Sequence, residues 1–208
     1  MAHRHHVTSD TSRRTLRHYE ANAERFREGT RDHDVSQNID ALLSAITGEP
    51  PFRILELGCG PGRDLQTFVA RGHEPVGLDG CARFVEMARA ASGCEVWLQD
   101  FLELDLPPTH FHGVFANASL FHVPSAHLPR VLGQLRDTLK PGGVLFFSNP
   151  RGANEEGWSG ERYGCYFDVE RWRALATGAG FHEIDCYYRP AGRPRSEQPW
   201  LAMTWRRA

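Results

Sequence analysis

From Phe52 to Asn149, short apolar runs alternate with segments whose apolar residues recur at three- and four-residue steps. The runs at 52–57, 74–79, 95–98, 112–117 and 143–149 read as strands, and the periodic segments at 63–71, 81–91 and 126–139 as helices. This alternation predicts a mostly parallel sheet covered by helices on both faces. A further helix is expected at 168–178, stopped by Gly178 and Gly180, followed by strand-like runs at 181–188 and 199–206. The proline- and glycine-rich stretch 189–194 between them suits an antiparallel end hairpin. Ahead of the alternation, Leu16, Tyr19, Ala23 and Phe26 place a helix over 12–28. A polar break at 29–34 follows. Ser36 then caps a second helix carrying Ile39, Leu42, Leu43 and Ile46, which Gly48 and Pro50-Pro51 end. The chain divides accordingly into a disordered tail at 1–11, a helical cap at 12–50 and an α/β core at 51–208.

Composition narrows the picture. A length of 208 residues suits one domain with a small cap, and an apolar fraction of 40% is enough for a packed core. A net charge of −2 supplies no basic field to recruit nucleic acid. No apolar run approaches the ~18 residues of a membrane span, and the first residues lack the apolar core of a signal peptide. Five cysteines (59, 81, 94, 165 and 186) are scattered with no CxxC pair, which favours neither a zinc site nor a disulfide framework. A reduced, cytoplasmic protein without a metal is expected. His3, His5 and His6 read as part of the tail and not as ligands.

The chemistry centres on Ile54-Leu55-Glu56-Leu57-Gly58-Cys59-Gly60-Pro61-Gly62-Arg63-Asp64, a strand that runs into a glycine-rich turn and then a helix. Gly58, Gly60 and Gly62 remove side chains where a ligand presses on the backbone. A nucleotide-like cofactor fits at the carboxyl end of such a strand. The spacing is GxGxG and not the GxGxxG of dinucleotide-binding proteins. Asp79, followed by Gly80 at the end of the second strand, suits both hydroxyls of a ribose, a device that NAD enzymes share.

With Glu56, this loop resembles motif I of the class I S-adenosylmethionine (SAM) methyltransferases. Gln99-Asp100-Phe101 resembles their adenine-binding element, the run from Phe115 to Pro124 their motif IV, and Leu139-Lys140-Pro141-Gly142-Gly143 their late turn into strand five. The resemblance implies a Rossmann-like α/β fold whose seven-stranded, mostly parallel sheet has its last strand antiparallel, with an N-terminal helical lid. It implies SAM as methyl donor and S-adenosylhomocysteine as product. It places Tyr19, Glu56, Gly58, Cys59, Gly60, Gly62, Asp64, Asp79, Gly80, Asp100, Phe101 and Asn117 at the cofactor.

The acceptor is less legible, because an activated methyl needs mainly alignment and exclusion of water. His33, in the polar run 30–38 beside Arg31, is expected to face it; His122 is a second candidate base, with a structural role beneath the motif IV loop as the alternative. Ser119, within the motif IV run, is a further candidate to bind the acceptor. The stretch 149–166 reads as a long polar-aromatic loop in which Arg151 and Arg162 suit a carboxylate and Trp158, Tyr163 and Tyr166 a flat acceptor. Tyr187-Tyr188-Arg189 forms a further segment, while Arg193 and Arg195 read as solvated charge. These features favour methyl transfer to a small, anionic molecule by a monomer or homodimer. A tRNA wobble-uridine-type methyltransferase and a catalytically silent SAM-binding protein are the alternatives; a basic stripe with interleaved aromatics is lacking for the former.

Overall fold

The computed structural model describes the backbone of residues 2–208 and the side chains of residues 10–208. Three helices, α1 (Ala2–Ala21), α2 (Ala23–Thr30) and α3 (Ser36–Ala45), precede the sheet. The helix expected over 12–28 is therefore two, broken at Asn22, whose side-chain amide donates to the His18 carbonyl. The expected tail falls mostly on residues 1–9, outside the described side chains.

The core then runs β1 (Arg53–Leu57), α4 (Arg63–Ala70), β2 (Glu74–Asp79), α5 (Ala82–Ser92), β3 (Val96–Leu98), β4 (Phe111–Asn117), α6 (Leu128–Thr138) and β5 (Leu139–Pro150). A small hairpin follows, β6 (Glu155–Ser159) and β7 (Arg162–Tyr166). The chain closes with α7 (Val169–Gly178), β8 (Phe181–Arg189) and β9 (Trp200–Arg207). The main sheet has seven strands in the order β3-β2-β1-β4-β5-β9-β8. Strands β1 to β5 are parallel, and β9 inserts antiparallel between β5 and β8. The expected sheet and end hairpin are both present. The loop expected at 149–166 is instead largely the separate hairpin β6–β7.

Apolar side chains fill both faces of the sheet. Leu55, Val114, Leu145 and Phe147 pack with Leu132 and Leu135 of α6 and Trp172 of α7. Ile54, Phe115 and Phe146 pack with Ile39 and Leu42 of α3 and Phe68 of α4. The helix α3 thus belongs to the core, and the residues just before it are held at the sheet's carboxyl edge.

Candidate active site

The strand order reverses between β1 and β4, and a doubly wound sheet opens a crevice at that point. The crevice here is one groove whose two halves share Phe26, Gly58 and Ala118. The half toward β2 and β3 is lined by Tyr19, Gly60, Asp79, Gly80, Asp100, Phe101, Ser119 and His122, with Ser12, Thr15 and Leu16 of α1 across it. The other half, a cavity of about 520 Å³, is lined by Glu56, Cys59, Arg63, Asp64 and Asn117 and by Thr30, His33, Asp34, Arg189 and Trp200.

The turn after β1 is tied to β2: the Gly58 and Cys59 N–H groups both donate to the Leu78 carbonyl, at 2.7 and 3.1 Å. Gly58 has φ +78, and a Cβ there would lie 2.5 Å from Ser119 Cβ. Gly62 serves a different purpose. At φ +89 its missing Cβ would meet Ala88 Cα at 2.7 Å, so it lets α4 cross α5 closely, and it lines neither half of the groove. Helix packing, not a ligand, requires that glycine.

Asp79 ends β2 with both carboxylate oxygens engaged. One accepts the Gly60 N–H at 2.9 Å and the other the Cys81 N–H at 2.9 Å. Burial pushes its carboxyl up to about 6 against those two N–H groups, which favour the charged form. Glu56 is buried with Oε2 unpartnered, and burial reinforced by the charge of Asp64 holds its carboxyl well above the usual range. Asp64 is held by Arg63, whose guanidinium grips both carboxylate oxygens at 2.6 and 2.9 Å and also donates to the Thr30 carbonyl. Asp100 accepts the Leu102 N–H on one oxygen and the Ser12 hydroxyl of α1 on the other. Asn117 Oδ1 accepts from the buried Asn38 amide, and Asn38 Oδ1 in turn accepts the Tyr187 hydroxyl, a chain that joins β4, α3 and β8.

The two histidines part company. His33 is exposed at the open half of the groove. His122 is half-buried and fully committed: Nδ1–H donates to the Tyr163 carbonyl at 2.6 Å, which leaves Nε2 to accept the Tyr19 hydroxyl at 2.8 Å. Burial, assisted by the charge of Arg162 and opposed by the bond to the Tyr163 carbonyl, lowers its pKa to about 4. A neutral ring with both nitrogens bonded is a brace between α1 and β7, in line with the structural alternative for this residue.

Several expected acceptor residues lie outside the groove. Arg31 is exposed beside Asp32. Arg151 is spent on the carbonyls of Gln198 and Arg195. Trp158 stands on β6 under the Arg14 guanidinium, 4.3 Å from its ring centre, and edge-on to Tyr163. Tyr166 packs against Phe121. Arg162 reaches the site through Tyr19, by a side-chain hydrogen bond and by its charge, and through its charge on His122. In their place the fold brings in Trp200, Asn38 and Ser12, which no local motif marks, and Arg189 from the Tyr187-Tyr188-Arg189 segment.

Comparison with known proteins agrees with this geometry. Residues 54–143 match the family model described as a methyltransferase domain. A trans-aconitate 2-methyltransferase of Azoarcus sp. (strain BH72) is 33% identical over 118 residues, 55% of this chain and 45% of the relative. A malonyl-[acyl-carrier protein] O-methyltransferase of Enterobacter lignolyticus (strain SCF1) is 29% identical over 113 residues, 54% of this chain and 44% of the relative. The chain thus spans a little under half the length of the relatives it matches. In fold, it resembles a Burkholderia thailandensis 1,6-didemethyltoxoflavin-N1-methyltransferase solved with its acceptor and S-adenosylhomocysteine, at TM-score 0.78 and 20% identity over 97% of this chain and 90% of that one. Residues 54–143 thus resemble a methyltransferase domain, and the whole chain shares the fold of that solved enzyme.

Proposed function

We propose that this chain binds SAM and transfers its methyl group to a small, anionic molecule. The observation that carries this reading is the single groove over the ends of β1, β2 and β4, with acceptor carboxylates at Asp79 and Asp100 in one half and an open, mixed-charge mouth at the other. The residues fit such a cofactor. Glu56 Oε2 is a buried acceptor without a partner, suited to an ammonium group. Gly58 and Gly60, at φ +78 and +52, put bare backbone against the groove. The names of the relatives, which specify trans-aconitate and malonyl-[acyl-carrier protein], support an acidic acceptor.

When bound, SAM supplies a methyl already activated by a sulfonium. The protein's own contribution is alignment and shielding. Asp79 offers its remaining lone pairs to ribose hydroxyls, and Asp100, at the far end of the same half, suits an exocyclic amine. Helix α1 lies across that half and excludes water, held by Tyr19 on His122 and by Ser12 on Asp100. His33, free at the mouth, is placed to take a proton from an acceptor that arrives protonated.

Calorimetric titration with SAM and S-adenosylhomocysteine tests the reading. Micromolar binding that Asp79→Ala abolishes is the expected result, with S-adenosylhomocysteine formed from SAM in the presence of an acidic acceptor pool. A folded protein that binds neither compound refutes it.

A further inference from the structure

Resting on that reading, we infer that Arg189 is the specificity determinant of the acceptor half: it holds a carboxylate of a flat acceptor that lies against Trp200. The two residues are opposite each other across β8 and β9, so their side chains share a face of the sheet, and both line the open half of the groove. A guanidinium carries five N–H donors in a fixed plane. In Arg189 one of them, on Nη2, donates to the Asp34 carbonyl at 2.7 Å, and the others have no hydrogen-bond partner among the described residues.

Of the neighbouring charged groups, Arg63 and Asp32 have partners of their own, and the Asp34 carboxylate, bonded to Ser36, also feels the Arg189 charge. Arg63 is bound through both edges by Asp64 and Thr30. The Asp34 carboxylate accepts the Ser36 N–H at 2.9 Å, and Asp32 pairs with Arg31. Within this half, Arg189 is thus the guanidinium with donors to spare, and a carboxylate satisfies two of them side by side. The half-buried indole of Trp200 offers a flat apolar face next to that fork. An acceptor anchored there extends toward Gly58 and Ala118, where the two halves of the groove meet.

The test uses the full chain saturated with S-adenosylhomocysteine, titrated calorimetrically with benzoate, trans-cinnamate and trans-aconitate, each beside its uncharged amide. At least one carboxylate is expected to bind at least about tenfold more tightly than its amide. Arg189→Gln keeps an N–H for the Asp34 carbonyl but removes the charge. It is expected to weaken that carboxylate about tenfold while leaving S-adenosylhomocysteine affinity within about twofold, and Arg189→Lys to restore part of the loss. In turnover with SAM the same variant raises KM for the acid far more than it lowers kcat. The assignment is overturned if no carboxylate binds the saturated protein, or if Arg189→Gln binds acid and amide in the wild-type ratio. Failure of S-adenosylhomocysteine itself to bind overturns instead the methyl-transfer reading beneath it.

Discussion

At the scale of single residues, the site depends on two groups, buried Asp79 and half-buried His122, whose titrations act on stability in opposite senses. Asp79 is raised to about 6 by burial, so its folded-state proton is held more tightly than in the unfolded chain. It costs stability as pH rises through about 4 to 6. It also offers ribose acceptors only when ionised. SAM affinity is therefore expected to fall roughly tenfold between pH 7 and pH 5, and calorimetry across that range with an unchanged Kd would refute the role. His122 is lowered to about 4, again by burial. Its neutral form stabilises the fold above the usual imidazole pKa, and that contribution is lost as pH falls from about 6.5 toward 4. Replacing it by asparagine, which can still donate to the Tyr163 carbonyl, removes the penalty. His122→Asn is expected to gain about 2 kcal/mol relative to wild type on going from pH 7 to pH 5 in urea melts. Parallel curves for the two proteins would show that the histidine does not titrate as its burial implies.

At the scale of elements, α1 and the β6–β7 hairpin form a joint cover beside the half of the groove proposed for the cofactor. Arg14 of α1 grips Glu161 between β6 and β7 through two hydrogen bonds, at 2.7 and 2.8 Å, and its guanidinium lies over Trp158. Thr15 accepts the Tyr163 N–H at 3.0 Å, and Tyr19 reaches His122. The first of these contacts is fully exposed and adds little to global stability, yet it ties the cover shut. Glu161→Arg is expected to speed S-adenosylhomocysteine release severalfold in stopped-flow measurements with the melting midpoint nearly unchanged; an unaltered release rate would mean that α1 does not open there. The pairing of α4 and α5 through Gly62 makes a separate prediction. Gly62→Ala places a methyl against Ala88 backbone at positive φ, and the expected cost is about 1–3 kcal/mol in chemical melts.

The element pattern explains why some segments were legible and one was not. The strand–helix alternation from β1 to β5 carries its own periodicity, so these strands and the intervening helices fall where the apolar runs put them. The hairpin strands β6 and β7 do not. Their sequences, Glu155–Ser159 and Arg162–Tyr166, are mixed in polarity because they pack against α1 and the motif IV turn and not in a core of their own. Strands that pair locally but pack on distant parts of the chain leave no clean local alternation to read.

At the scale of the whole molecule, the seven-stranded sheet is the rigid support and the groove is its carboxyl edge. Trp172 of α7 is fully buried between Phe147 of β5 and Phe167, which makes it a keystone of one face. Trp172→Ala is expected to destabilise the fold by about 3–5 kcal/mol in urea melts, since a cavity of that size closes only partly. A loss under 1 kcal/mol would mean that α7 repacks freely. On the other face, α3 buries Ile39 and Leu42 against the sheet and thereby fixes His33 and Asp34 beside Arg189.

The chain's linear order determined the fold class and the residues proposed for the cofactor. Glu56, the glycine turn, Asp79 and Asp100 each sit at a strand's carboxyl end, and the order of the strands alone brings those ends together. The acceptor half was decided by tertiary structure. Arg189 and Trp200 reach the groove because β9 inserts antiparallel beside β5 and carries β8 with it, and His33 because α3 packs on the same sheet. Conversely, Arg151 and Trp158, which look equally suited to a ligand in the sequence, are used up by carbonyls and by Arg14. A side chain's type is local, but whether its donors and faces remain free depends on every element folded around it.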